Sequence, residues 1–147
     1  MTATSVAEAL ALIPRHKAKL DTEDNLLRQT IHHVEHVLNE LQPGVTTTLV
    51  YRPGDGKPER RLEFMPANRR WIIVWVGEEA DVPLLNTSRD VRAEVFSPLV
   101  DGLSPIELLI IEVAENLETA GSTRSPMLEV ARRLSSVLTA SGFPPPR

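Results

Sequence analysis

The stretch that decides the fold is Arg70-Trp-Ile-Ile-Val-Trp-Val76. All of its residues after the first are β-branched or aromatic, and such residues favour strands. Side chains alternate between the two faces of a strand, so Trp71, Ile73 and Trp75 point one way and the residues between them point the other way. Because both faces are apolar, we predict a central strand that is covered on both sides.

Two further strands are predicted before this one, and short turns separate all three. Val45–Tyr51 is β-branched and aromatic, and Arg60–Met65 alternates apolar and polar residues. Parallel neighbours would need a crossover of about a dozen or more residues, so we predict an antiparallel meander, with Val82–Leu85 as a candidate fourth strand. The side chains expected to build its packed face are Leu49, Tyr51, Leu62, Phe64, Trp71, Ile73 and Trp75.

Helical patterns precede the strands. Ser5-Val6-Ala7-Glu8 is a capping box, which opens a helix. Pro14 is expected to end this helix, because proline lacks the N–H that a helix interior needs. In residues 22–41 the apolar residues are spaced by four and three, which is typical of an amphipathic helix. We therefore predict a short helix and a linker in residues 1–20, followed by a longer helix.

Three helices are predicted after the strands. The first begins near Ser88, and Ser104-Pro105-Ile106-Glu107 is a second capping box that opens the next one. This helix is expected to end at Gly121, and the last helix is expected to begin at Ser125-Pro126. The residues of the last helix that are expected to point inward are Met127, Val130, Leu134, Val137 and Leu138.

The order of the elements indicates one α+β domain in residues 1–147, with N-terminal helices, a three- to four-stranded antiparallel sheet, C-terminal helices packed on it, and a flexible tail at residues 143–147. The chain has no run of about 18 apolar residues and no early basic residues typical of a secretory signal, so we expect no membrane association and a cytoplasmic location. The absence of cysteine excludes disulfides, thiol catalysis and cysteine-based zinc sites.

Charge is distributed unevenly along the chain. The net charge is −4, but residues 45–77 carry +3, residues 78–118 carry −8 and residues 119–147 carry +3. The overall negative charge argues against general affinity for nucleic acid. The basic residues around the predicted hairpin turns are Arg52, Lys57, Arg60, Arg61, Arg69 and Arg70. With Tyr51 and Trp71 nearby, they keep nucleic-acid binding through residues 52–70 as an alternative function.

His32-His-Val-Glu-His36 carries the H-x-x-E-H pattern and so resembles the inverted zinc peptidases. The resemblance implies a metal-dependent hydrolase that uses His32, Glu35 and His36. It also implies a third carboxylate ligand from a downstream helix, where Glu112 and Glu115 are candidates. On a helical wheel both histidines lie opposite the apolar face, and Glu35 lies at the shoulder of the polar face. We keep this hydrolase as a second alternative, and we predict no catalytic residue, metal or cofactor.

The predicted helix from Pro105 to Ala120 favours a protein-interaction function. Leu108 and Ile111 widen its apolar face beyond one stripe, so it is either enclosed in the domain or faces another chain. The charged residues on its polar side are all glutamates, which are expected to pair with Arg132 and Arg133 within one chain, with pairing between chains as the alternative.

From these features we predict a small, non-enzymatic protein-interaction module, such as an adaptor, a chaperone-like protein or an immunity-type protein. It is expected to bind an unidentified protein partner, and self-association through the C-terminal helices would make it a homodimer. The side chains predicted to form the interaction surface are Leu108, Ile111, Glu112 and Glu115.

Overall fold

The computed structural model describes residues 5–146, apart from the side chain of Val100. The elements are α1 (Val6–Leu41), β1 (Thr47–Tyr51), β2 (Arg60–Ala67), β3 (Arg70–Val76), β4 (Asp81–Pro83), α2 (Arg89–Val95) and α3 (Pro105–Ala140), with single 3-10 turns at Leu84–Asn86 and Val100–Gly102. The four strands form an antiparallel meander in the order β1-β2-β3-β4. The predicted α+β architecture is therefore confirmed.

One face of the sheet carries the core. Leu49 pairs with Leu62, and Phe64 pairs with Ile73, so alternate residues of neighbouring strands share this face. All seven side chains predicted for the packed face belong to the core or pack against it. The buried residues that complete it from the helices and the first 3-10 turn are Ile31, Leu38, Leu84, Val95, Ile106, Leu109 and Val113.

The other face of β3 is not covered, so the prediction of a strand enclosed on both sides is wrong. Ile72 and Val76 are half-buried, and Val50 on the same face is 49% exposed. Val74 alone is buried there, because it lies between β2 and β4 and pairs with a residue of each. The core residues of α1, α2 and α3 all join the opposite face, so none of them covers this one.

Both long helices are continuous where the sequence predicts breaks. α1 runs through Pro14, and α3 runs through Gly121 and Pro126. The predictions of a short helix with a linker in residues 1–20, and of two separate helices after residue 104, are therefore wrong. A proline removes one helical hydrogen bond, but both prolines lie in exposed turns, where water can bond the freed carbonyl.

Different contacts mark the two ends of the sheet. At the end where β1 and β3 begin, Asn39 of α1 bonds the backbone of β3, and Asn116 of α3 donates a hydrogen bond to β1 at 3.2 Å. At the end where β2 begins, α2 is held by an ion pair between Glu94 and Arg60, at 3.4 Å. These contacts fix how far each long helix extends past the sheet.

α1 and α3 run in the same direction and leave the sheet at opposite ends. Asp24 of α1 bonds Arg92 of α2, which lies at the end of the sheet where β2 begins. The α1 residues that precede Asp24 therefore extend past this end. Asn116 bonds the start of β1, so the second half of α3 extends past the other end. We call residues 6–20 the N-arm and residues 121–140 the C-arm. At 1.5 Å per residue they are about 22 Å and about 30 Å long.

Candidate functional site

The H-x-x-E-H stretch places its three side chains in different surroundings. His32 and His36 are exposed, and His36 lies 3.7 Å from Glu40 on the same helix. Glu35 is 2% exposed, and its Oε2 accepts a hydrogen bond from the Ile73 N–H at 2.7 Å. Among residues 5–146, no group of three His, Asp or Glu side chains is arranged to hold a metal ion. The Glu35 carboxylate instead accepts a backbone hydrogen bond from the sheet.

Glu35 and Asn39 close an open edge of the sheet. β4 pairs only with the last three residues of β3, which leaves the backbone of Trp71 and Ile73 facing α1. Asn39 donates to the Trp71 carbonyl and accepts from the Trp71 N–H, both at 2.8 Å, as a neighbouring strand would. Together with the bond from Ile73 to Glu35, these contacts prevent another strand from pairing at this edge.

The second oxygen of Glu35 is buried without a hydrogen-bond partner, 3.8 Å from Nη2 of Arg70. Burial raises the pKa of Glu35 above its ordinary value of 4.5, while the hydrogen bond from Ile73 and the charges of Arg70 and His32 oppose the rise. Glu35 and Arg70 line a cavity of about 230 Å³ beside the first 3-10 turn. A charged Glu35 is therefore costly to the fold, and its contribution to stability depends on pH.

Asp24 and Arg92 join α1 to α2 at the point where the N-arm begins to extend away from the body of the domain. By the body we mean the sheet, α2 and the parts of α1 and α3 that pack on the sheet. Arg92 is 3% exposed; its Nε donates to Oδ1 of Asp24 at 2.9 Å, and its Nη2 donates to Oδ2 at 2.8 Å. Arg92 also donates to the Thr87 carbonyl, and Arg28 bonds Asp24 at 3.2 Å. The hydrogen bond from Arg92 is the main cause that lowers the pKa of Asp24. This pair anchors α1 to the body.

The basic residues of the hairpins are distributed over both ends of the sheet. Successive turns of a meander lie at opposite ends, so Arg52 and Lys57 are separated from Arg69 by the length of β2, about 25 Å for eight residues. Arg60 and Arg70 form ion pairs with glutamates of α2 and α1. The residues named for nucleic-acid binding through residues 52–70 therefore do not form one basic surface.

The four side chains predicted for partner binding lie on the first half of α3. Ile111 is 42% exposed and Glu115 is exposed, whereas Leu108 and Glu112 are half-buried and Leu108 packs against the core. Because α3 is one continuous helix, Glu112 and Arg132 are 20 residues and so about 30 Å apart. The expectation that the glutamates pair with these arginines within one chain is therefore wrong.

The C-arm residues that were expected to point inward are all exposed. Their exposed fractions are 62% for Met127, 51% for Val130, 56% for Leu134, 56% for Val137 and 46% for Leu138. The prediction is wrong because α3 does not turn back at Gly121 but continues past the end of the sheet. The N-arm is similar, with Val6, Leu10, Ile13 and Leu20 exposed. Because the sequence predicted that the five C-arm residues point inward, sequence reasoning missed this surface.

Both arms continue the apolar spacing of the helix halves that pack on the sheet. In α1, steps of three and four connect Leu10 and Ile13 in the N-arm to Ile31 in the core, interrupted by the polar residues Lys17 and Asp24. In α3, the same steps connect Ile106 to Val137, interrupted between Leu117 and Met127 by small and polar residues. Such steps form the apolar seam of a coiled coil. Each long helix therefore has one seam, packed along one half and bare along the other.

Comparison of the chain with family models, with curated proteins and with solved structures gives no match. In the described part of the chain, no helix has the length and apolar character needed to cross a membrane. The function is therefore inferred from the geometry of the chain itself.

Proposed function

We propose that the protein is a non-enzymatic protein-interaction module that self-associates through its helical arms. The observation that carries this proposal is the bare seam of the C-arm, where Met127, Val130, Leu134 and Val137 follow coiled-coil spacing and each is more than half exposed. Exposed apolar surface of this extent is typical of a protein–protein interface. A cytoplasmic location belongs to the same proposal, and the absence of cysteine fits it.

The helical state of the arms supports the proposal. Helices of about 15 residues without tertiary packing are marginal in water. The N-arm also contains Pro14, and an interior proline costs about 3 kcal/mol. The C-arm contains Gly121 and Pro126. Burying one half-exposed Leu, Ile, Val or Met contributes roughly 1 kcal/mol, so contact along a whole seam can offset these costs.

The proposed surface includes part of the first half of α3. Ile111 and Glu115 are exposed there, beside the half-buried Leu108 and Glu112. The acidic first half and the basic second half of α3 lie too far apart to neutralise each other within one chain. A partner that contacts α3 therefore meets two regions of opposite charge.

Self-association is tested by sedimentation of the full chain and of two matched variants. Leu134→Glu with Val137→Glu places two charges on the seam, and Ser122→Glu with Ser136→Glu places two charges on other sides of the same arm. We expect the wild type and the serine variant to be dimers at about 50 μM, and the seam variant to be a folded monomer. A wild-type monomer, or a seam variant as dimeric as the wild type, would contradict the proposal.

A further inference from the structure

We infer that the N-arm of one chain pairs with the C-arm of a second copy, in antiparallel orientation, and that this contact occurs twice about a two-fold axis. The inference rests on the proposed self-association and names its partner segment and geometry. Three features of the chain carry it: the positions of the arms, the spacing of their seams and the area that they expose.

Because of the positions of the arms, this pairing forms a closed dimer. α1 and α3 run in the same direction, and their arms leave the sheet at opposite ends. When a second copy is turned end over end beside the first, each C-arm lies next to the partner's N-arm. Both seams of both chains are then covered in one symmetric pair. Pairing of like arms would leave one seam bare in each dimer, or would link the chains into an open filament.

The seams match in spacing when the arms run in opposite directions. From Met127 to Val137 the steps are three, four and three residues, and from Leu20 back to Leu10 they are also three, four and three. The facing layers are Leu20 with Met127, Lys17 with Val130, Ile13 with Leu134, and Leu10 with Val137. Three of these layers are apolar. In the fourth, Lys17 extends its ammonium group to the helix side, where it already bonds Asp21 at 2.7 Å.

The two prolines fit the same register. Pro14 directly follows the seam residue Ile13, and Pro126 directly precedes the seam residue Met127, so neither ring occupies a seam position. The bulky rings therefore lie beside the contact and interrupt none of its four layers.

The exposed area is sufficient for a stable dimer. The exposed aliphatic residues of the two arms are Val6, Leu10, Ile13, Leu20, Met127, Val130, Leu134, Val137 and Leu138. At roughly 100 Å² each, they offer about 900 Å² per chain, and the two-fold contact buries about 1,800 Å² in total. Stable and specific interfaces bury about 1,200–2,000 Å², so two arm pairs are enough.

The experiment is a complementation test between two variants that each damage one arm. Leu10→Glu with Ile13→Glu damages the N-arm seam, and Leu134→Glu with Val137→Glu damages the C-arm seam. In a dimer of either variant with itself, both arm pairs contain one damaged arm, so we expect affinity to fall by roughly 100-fold or more. In a dimer of one variant with the other, one arm pair has two intact seams.

The mixture of the two variants is measured by sedimentation with a fluorescent label on one of them. We expect a 1:1 complex that is at least roughly tenfold tighter than either variant alone, because one intact arm pair is restored. Ala11→Glu with Ala18→Glu, on the opposite side of the N-arm, is the control and should dimerise like the wild type. Near-UV circular dichroism checks that the body of each variant remains folded.

The outcomes separate this inference from the proposed function. If the C-arm variant is monomeric but the N-arm variant dimerises like the wild type, self-association stands and the pairing of unlike arms is overturned. The same holds if both variants are monomeric and their mixture forms no complex. If neither variant differs from the wild type, the arms are not the interface and both proposals fail.

A second measurement does not depend on disrupting an arm. The chain has no cysteine, so Ile13→Cys and Leu134→Cys each introduce a single thiol. Under mild oxidation, a mixture of the two variants is expected to form mainly the mixed disulfide, because these positions face each other in one layer. A product dominated by disulfides between two copies of the same variant would overturn the inference.

Discussion

The two halves of α3 have the same apolar spacing in opposite surroundings. Leu109, in the first half, is fully buried against the sheet, whereas Leu134, in the second half, is 56% exposed. α1 repeats the contrast with a buried Ile31 and an exposed Ile13. Periodic spacing shows which side of a helix requires apolar contact. It does not show whether the same chain or another chain supplies the contact, and the following predictions separate these two cases.

The largest effect is expected at the boundary between the N-arm and the body. Asp24→Ala leaves Arg92 buried without its carboxylate, which should cost about 3–5 kcal/mol of unfolding free energy. Asp21→Ala, three residues earlier, removes only surface ion pairs and should cost less than about 1 kcal/mol. Urea unfolding measures both variants, and similar costs would show that Asp24 does not anchor α1.

An intermediate effect is expected from one substitution made in both halves of α3. Leu109→Ala opens a cavity in the core and should cost about 2–5 kcal/mol at any protein concentration. Leu134→Ala should cost less than about 0.5 kcal/mol in dilute monomer, and more as the concentration rises and the arms associate. Urea unfolding at two concentrations tests this. If Leu134→Ala lowers the unfolding free energy by a large amount that does not depend on protein concentration, the C-arm is covered within its own chain.

The smallest effect on stability is expected from a substitution of Glu35, in the packed half of α1. Because its folded pKa is raised above 4.5, Glu35 contributes stability at low pH that is lost as the pH rises through the folded pKa. Glu35→Gln keeps an acceptor for the Ile73 N–H and carries no charge. The stability of this variant relative to the wild type should therefore increase as the pH rises from 4.5 through the folded pKa.

Thermal unfolding of both proteins across this range measures the difference. Glu40→Gln is the control, because Glu40 is exposed on the same helix and should show little change. A difference between Glu35→Gln and the wild type that does not depend on pH would contradict a raised pKa for Glu35.

The sheet could be predicted because its alternation is local. Each residue of the packed face follows from the period of two in its own strand, and the short turns permit only antiparallel pairing. The buried position of Glu35 could not be predicted, because it depends on the short β4. The Ile73 N–H needs an acceptor from α1 because β4 leaves half of the β3 edge unpaired. The helical wheel of α1 does not show this requirement.

The ends of the helices could not be predicted for a different physical reason. Pro14, Gly121 and Pro126 are local signals for a break, and they compete with apolar seams that extend over many turns. In this chain the helices continue through all three positions. As a result, the C-arm residues that were predicted to point inward form the candidate interaction surface. Of the four residues predicted for partner binding, Leu108 and Glu112 are half-buried in the first half of α3.

Backbone amide hydrogen exchange at two protein concentrations tests the central claim, that the arms are ordered by a second copy. At about 50 μM, amides of both arms should be protected, and on dilution to about 0.1 μM they should exchange rapidly while residues 105–116 of α3 stay protected. If the arms are equally protected at both concentrations, their order comes from their own chain, and the central claim is contradicted.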